Sequence, residues 1–275
     1  MLNKDLVELS ELMSGGETEI IPIMTEENIK DLSVSDMPEL LPILPLKGNV
    51  FFPGVIIPIN AGREKSVKLI KTAYKNKQII GIVAQKSADI EDPTTADLYK
   101  VGTMAKVIKT LNMPDGTTMV ILQGMDRFSL EELVQTEPYW VGKAVEYPDG
   151  AKELPENYMA LAEAVKDMYL RVLKMVPNIP ADPSFAIQNI ENPYFLLNYV
   201  AAHLDVNVSE KQKLLETNDF SKRANKVLSI LSKELELQKL KLEIQKKVSS
   251  DMDKQQRDYL LTQQLKTIQE ELGGS

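Results

Sequence analysis

The sequence contains no cysteine and only one histidine in 275 residues. Without thiols there are no disulfides, no thiolate nucleophile and no zinc site of the Cys/His type. The lone His203 ends an apolar helical segment, NYVAAHLDV. No partnered triad assembles around it, so it reads as a helix-terminal residue rather than a base. Aromatic residues make up 6% of the chain, with a single tryptophan. No apolar run approaches the length needed to span a bilayer, and the first residues, MLNKDLVELSELMSGGETEI, are acidic where a signal peptide is basic and then apolar. The expectation is a cytoplasmic protein with no membrane partner.

Catalytic signatures are missing too. There is no G-x-x-x-x-G-K-[ST] phosphate loop, since Gly142-Lys143 lacks both the upstream glycine and the hydroxyl residue. H-E-x-x-H, G-x-S-x-G and the Gly-rich dinucleotide fingerprint are absent. Neighbouring acids such as Glu131-Glu132 and Glu270-Glu271 read as solvated surface in a chain that is 26% charged. No catalytic residue, metal ligand or cofactor site is therefore assigned.

The charge that is present is unevenly placed. Residues 1–39 hold ten acids and two bases, which accounts for the whole net charge of -8. This stretch is read as a disordered acidic tail with a Gly15-Gly16 break. Residues 40–148 carry short apolar runs separated by turn residues, the pattern of a β-rich lobe. Its candidate strands are LPILPL, VIIPI, QIIGIVAQ, GTMAKVIKTLNM, TTMVILQG, RFSLEELVQ and YWVGKAVEY. Pro114-Asp115-Gly116 predicts a hairpin turn. Pro42, Pro45 and Pro58 cannot donate to a ladder, which predicts edge or irregular strands around them.

One amphipathic helix interrupts the lobe, with Val67, Ile70, Ala73 and Tyr74 on its apolar face. Six bases lie within Arg63 to Lys77. Such a stripe would suit nucleic-acid phosphates. The near-neutral lobe and the lack of a stacking platform favour a helix that simply covers a sheet.

After Pro148-Asp149-Gly150 the apolar period lengthens to about 3.6 residues, which predicts helices. These are placed at Pro155 to Val176, Pro183 to Asn189, Pro193 to Leu204 and Ser209 to Glu216, with a long helix from about Ser221. Pro177 and Pro180 stop the first, and Ser209 with Gln212 has capping-box spacing. Residues 149–248 are thus a helical bundle. Over 249–275 the helix extends into a seam, Leu261, Leu265, Ile268 and Leu272, of fewer than three heptads. Such a seam needs a partner or a continuation, so Met252 and these four residues are candidate assembly residues.

Three blocks then carry a resemblance. LPILPLKGNVFFPGVIIPINAGREKS supplies Leu44, Pro45, Leu46, Phe52, Pro53, Gly54, Pro58 and the run Gly62 to Ser66, with Lys47 where arginine is commoner. DLYKVGTMAKVIKTLNMPDGTTMVILQGMDRF supplies Val101, Gly102, Thr103, Gly124 and Arg127, and AAHLDVNVSEKQKLLETNDFSKRANKVLSIL follows. Together, over Leu41 to Gly273, they resemble the N-terminal region of bacterial Lon, the ATP-dependent AAA+ protease.

The resemblance implies an α+β fold: a β-rich pseudo-barrel lobe with one helix, a helical bundle and a long C-terminal helix. It also implies recognition of unfolded or damaged proteins and homo-hexamer assembly. ATP, Mg and the serine and lysine dyad would belong to a downstream part of the parent. A surface that accepts unfolded chains must be apolar and exposed. Phe51, Phe52, Pro53 and Ile57 are the first candidates, followed by Arg63, Glu64, Lys65 and Lys68, with a place in the β core as the competing role for the apolar ones. The alternatives are a free-standing binding protein of the same fold and a nucleic-acid module using the basic helix.

Overall fold

The computed structural model describes residues 37–113, 117–148, 156–176 and 184–273. Six strands come first: β1 (Leu40–Leu46), β2 (Ile56–Ala61), β3 (Ile80–Ala84), β4 (Val101–Asn112), β5 (Thr118–Gln135) and β6 (Val141–Glu146). Helix α1 (Glu64–Asn76) lies between β2 and β3. The helical lobe comprises α2 (Glu156–Met175), α3 (Ser184–Gln188), α4 (Pro193–His203), α5 (Val208–Leu215) and α6 (Phe220–Leu272).

The sheet order is β2-β5-β4-β3-β1-β6, and β6 also pairs with β5. Five strands therefore close a ring, and β2 attaches to β5 outside it. Closure works because β5 is 18 residues long. Its first half pairs with β2 and its second with β6, while β4 runs along both. The two sequence runs TTMVILQG and RFSLEELVQ are thus one strand, carried across register shifts in its ladders with β4 and β6.

Prolines sit where their missing donor does least harm. Pro58 lies on the edge strand β2. Strand β1 is interior but changes partner: Leu40 to Pro42 pair antiparallel with β6, and Ile43 to Leu46 pair parallel with β3. The sequence expectation of irregularity at Pro42 is met by this switch. The Pro114-Asp115-Gly116 turn lies outside the described residues, but its flanks pair antiparallel from Asn112 and Thr118 inward, and the Met113 N–H donates to the Thr117 carbonyl at 2.9 Å.

Both faces of the ring strands are covered, which is why β3 is buried at every position. Leu41, Ile43, Val83, Met104, Phe128, Leu130 and Ala144 form one cluster drawn from all five ring strands. Phe128 needs the glycines around it: a Cβ on Gly81 would come within 2.6 Å of its ring, and one on Gly102 within 2.9 Å. On the other face α1 packs Leu69, Ile70 and Ala73 over Leu44, Ile80, Ile82 and Leu122. The buried face of α1 includes Ser66 and Leu69, whereas Tyr74, expected there, is 46% exposed. The four-residue spacing from Ile70 to Tyr74 fits a helix face, but the sheet below ends at the last turn, where Lys77 takes the left-handed conformation that closes the helix.

The helical lobe forms a third cluster in which Val165, Val172, Leu196, Val200, Phe220, Ala224, Val227 and Leu231 meet. Phe220 stacks on Tyr158 at 4.7 Å and meets Tyr194 edge-on at 5.1 Å. Three of these helices start on a side-chain acceptor. Asn192 caps α4, Asn207 caps α5 and Asp219 caps α6, each accepting from a backbone N–H at 2.8 to 2.9 Å. The expected capping box of Ser209 with Gln212 is replaced by the Asn207 cap. Gln212 is instead buried and donates to the Val101 carbonyl at 2.9 Å, across to the β lobe.

The acidic tail over residues 1–36, the Asp149-Gly150 boundary, the helix start at Pro155, the stops Pro177 and Pro180, and Pro183 lie outside the described residues. Met37 packs against the ring cluster, and the Glu39 carbonyl accepts from the Ala144 N–H at 2.9 Å, so the folded lobe begins slightly before residue 40. No helix among the described residues is long and apolar enough to cross a membrane.

Candidate functional site

Phe51, Phe52, Pro53 and Ile57 were candidates for an outward apolar surface, with the core as the competing role, and the structure buries the two phenylalanines. Phe51 is 3% exposed and Phe52 is fully buried. Phe51 joins the cluster beneath α1, while Phe52 and Val55 belong to the helical cluster. The loop between β1 and β2 is therefore a joint between the lobes. Gly54, with φ of +79°, lets the turn press onto α4: a Cβ there would stand 2.5 Å from the Phe195 ring. The Phe51 carbonyl accepts from the Thr103 hydroxyl at 2.6 Å, the Gly54 N–H donates to the Gly124 carbonyl at 3.2 Å, and the Gly124 N–H donates to the Val55 carbonyl at 2.8 Å. Pro53 and Ile57 are only partly exposed.

Further polar ties cross this joint. Arg127, 3% exposed, donates to the carbonyls of Leu215 and Pro148 and lies over the Tyr147 ring at 5.1 Å. The Tyr147 hydroxyl donates to the Glu216 carbonyl at 2.9 Å. Lys211 donates to Ala202 O at 2.8 Å and to Asn49 Oδ1 at 3.3 Å. Burial lowers the pKa of its ammonium, with Asp205 acting in the opposite sense.

A wider concavity opens at the joint itself, lined by Lys86, Tyr99, Lys100, Tyr147 and Glu216, and a second one lies beside the start of α1. A shallow cleft of about 340 Å³, open to solvent, has a floor of Pro45, Leu69, Tyr139 and Trp140 and a rim of Arg63, Lys65 and Asp92. Its walls are held by charged and polar contacts. Lys65 pairs with Glu137 at 2.7 Å, tying α1 to the loop between β5 and β6. This contact raises the Lys65 pKa, the hydrogen bond to Glu137 being the main cause. Arg63 donates to Gln85 Oε1 at 2.9 Å, and Gln85 donates to the Ile90 carbonyl at 3.1 Å, which anchors the opposite wall. Lys47 holds the same loop through Glu91 at 2.9 Å.

Arg63 and Lys65 were thus found by sequence, but as cleft walls. Glu64 pairs with Lys68 at 2.6 Å along the helix, which lowers the Glu64 pKa. Neither residue lines the cleft. Three of the six bases on this segment are engaged in contacts within the protein, which shortens any phosphate-binding stripe. Tyr139 and Trp140 were read only as the start of a strand. An aromatic pair directly after Pro138 was the one available signal. His203 is exposed, its Nδ1 2.7 Å from the Tyr199 carbonyl. Among the described residues no group of three His, Asp or Glu side chains could hold a metal ion.

The assembly candidates lie on the far part of α6. Met252, Leu261, Leu265, Ile268 and Leu272 are each more than half exposed. Beyond Gln238 no side chain is buried among the described residues, although the helix continues unbroken to Leu272.

A family model for the substrate-binding domain of the ATP-dependent protease La (LON) matches residues 40–233. The chain belongs to the Lon substrate-binding domain family. The Lon protease of Flavobacterium johnsoniae is 44% identical over 278 residues, covering all of this chain and 33% of that protein. The Lon protease of Cytophaga hutchinsonii is 41% identical over 256 residues, covering 93% of this chain and 32% of that protein. The chain therefore spans about a third of the length of these Lon relatives. The N-terminal domain of a Mycobacterium avium complex Lon protease superposes with a TM-score of 0.57 at 18% identity, covering 70% of this chain and 98% of that one. The likeness establishes a shared α+β fold. The family model spans the ring, the cleft and the first turns of α6, whereas the match to the Flavobacterium johnsoniae protein also takes in the exposed remainder of α6.

Proposed function

We propose that this chain is the substrate-recognition and assembly module of a Lon-type, ATP-dependent protease of the cytoplasm. It binds unfolded or damaged protein and delivers it to an ATPase and a serine protease carried elsewhere in the parent chain, in a homo-hexamer. The observation that carries this reading is the match to a Lon substrate-binding domain in a chain spanning a third of its relatives.

The cleft beside α1 is the proposed contact for substrate. Its aromatic floor accepts an apolar side chain of any sequence, and its charged rim excludes nothing by shape. A contact burying about 300 Å² yields a gross gain of about 7 kcal/mol at 25 cal/mol/Å². Ordering the bound segment and fixing it in place consume much of this, so one domain binds weakly, with Kd on the order of micromolar to millimolar. Copies on a ring raise avidity without any new contact.

Trp140 is the only tryptophan, so its fluorescence reports the cleft directly. Titrating a permanently unfolded model protein into the 275-residue chain should shift its emission. Substituting Tyr139→Ala and Trp140→Ala together should weaken binding, read by anisotropy of the labelled unfolded protein, at least about fivefold. Unchanged emission together with unchanged affinity would remove the cleft from the proposal.

A further inference from the structure

We infer that the exposed part of α6 pairs with α6 of a second copy of this chain, antiparallel, about a two-fold axis passing between Met252 and Asp253. The inference rests on the reading of α6 as an assembly element and specifies the partner, its direction and its register.

The seam read from sequence at Leu261 to Leu272 has a counterpart near the base of the exposed helix. Leu237, Leu240 and Ile244 are spaced by three and four residues, and each is 45 to 54% exposed. Counting in sevens from Leu237 reaches Ile244, Asp251, Asp258, Leu265 and Leu272. Counting from Leu240 reaches Lys247, Lys254, Leu261 and Ile268. Both apolar stretches therefore lie on one heptad seam, with Leu237 at an a position and Leu240 at d. The four seam positions between them are all charged, in the order Lys247, Asp251, Lys254, Asp258. Met252 falls off this seam.

The charges decide the direction. In a parallel pair, equivalent positions face each other, so Lys247, Asp251, Lys254 and Asp258 would each meet their own copy, giving four layers of like charge. In an antiparallel pair, a positions face d positions. With the two-fold axis between Met252 and Asp253, Asp251 meets Lys254 of the second copy and Lys247 meets its Asp258. The same register sets Ile244 against Leu261, Leu240 against Leu265 and Leu237 against Ile268. Within the overlap from Leu237 to Ile268, every apolar seam position meets an apolar one and every charged one meets its opposite.

Sliding the helices by one heptad destroys this match. In one direction Lys254 faces Ile244 and Asp258 faces Leu240; in the other, Asp251 faces Leu261. Charged seam positions commonly fix register and orientation at some cost in stability, and a palindrome of charge flanked by a palindrome of leucines and isoleucines fits that use. The overlap from Leu237 to Ile268 exceeds four heptads, about 47 Å at 1.5 Å per residue, longer than the short seam that could not stand alone.

The absence of cysteine makes the test direct. Two variants of the 275-residue chain, Ile244→Cys and Leu261→Cys, are mixed and oxidised, and sedimentation follows their association. The expected result is a disulfide-linked mixed dimer, with little linkage of either variant to itself. Self-linkage of Ile244→Cys at equal efficiency means a parallel pair; it overturns the inference and leaves α6 as an assembly element. Monomers at all concentrations with no linkage overturn both. Separately, Asp251→Lys with Asp258→Lys should raise the dimer dissociation constant at least about tenfold, and adding Lys247→Asp and Lys254→Asp should restore it. Failure of the fourfold exchange to restore pairing also overturns the register. These positions touch nothing else in the fold, so a loss of pairing is not a loss of folding.

Discussion

Gly54 and Gly48 separate two costs that are often confused. Both have positive φ, +79° and +75°. A Cβ on Gly48 meets nothing within 4 Å, while one on Gly54 collides with Phe195. Gly48→Ala should therefore cost about 1 kcal/mol, the backbone contribution alone. Gly54→Ala adds the cost of overpacking and should reach about 2–4 kcal/mol, read by thermal or urea denaturation. Equal losses would mean that the loop yields and the joint with α4 is soft. Phe52→Ala should cost about 3–5 kcal/mol for a fully buried ring, so a large fall in Tm, rather than selective loss of substrate binding, is the expected phenotype. The residues of this loop were legible as unusual from sequence, but their direction was not. An apolar run broken by proline and glycine looks the same whether it closes a joint or faces water, and only the position of α4 distinguishes the two. Lys211 gives a pH signature. Burial lowers its folded pKa below the unfolded value, so over the range between them the unfolded chain binds more protons and stability rises with pH. From neutral pH to about pH 10, wild type should gain stability relative to Lys211→Met in paired denaturation curves.

At the level of elements, caps and periods were largely readable and closure was not. The strands and helices fall close to where alternation and the 3.6-residue period placed them, because each has a continuous buried face. Ring closure depends on β5 carrying two partners in succession, and the sequence marks that only by its length and by the glycine at position 124. The start of α5 shows how a plausible motif loses to an acceptor two residues earlier. Ser209 and Gln212 had the right spacing, yet Asn207 accepts from Glu210 N at 2.9 Å and Gln212 is spent on the β lobe. Asn207→Ala should therefore cost about 1 kcal/mol and Ser209→Ala should be near neutral, measured as shifts in urea midpoint. The reverse ranking would reinstate the capping box. The cleft was half legible for a related reason. Arg63 and Lys65 stood out as charges, whereas Tyr139 and Trp140 merged with the strand that follows them.

For the whole molecule, the decisive feature is that the two lobes share buried groups. Arg127 leaves the ring to bind carbonyls at the end of α5 and beyond β6, and Tyr147 and Gln212 reinforce the crossing. Wild type should melt in one calorimetric transition, with the β and helical lobes unfolding together. Arg127→Met removes the charge-assisted bonds at the joint and leaves their carbonyl acceptors without that donor. It should destabilise by about 2–4 kcal/mol and split the transition in two. A single, uniformly lowered transition would instead mean that the apolar joint alone couples the lobes. A rigid body of this kind also changes what α6 can do. Its exposed portion extends about 50 Å from its anchorage at 1.5 Å per residue, so a tilt of roughly 10° at the base sweeps the tip through roughly 9 Å. With its root clamped by Phe220, Ala224, Val227 and Leu231, the helix is a lever arm, and small rotations of the helical lobe arrive at its far end as displacements larger than a side chain.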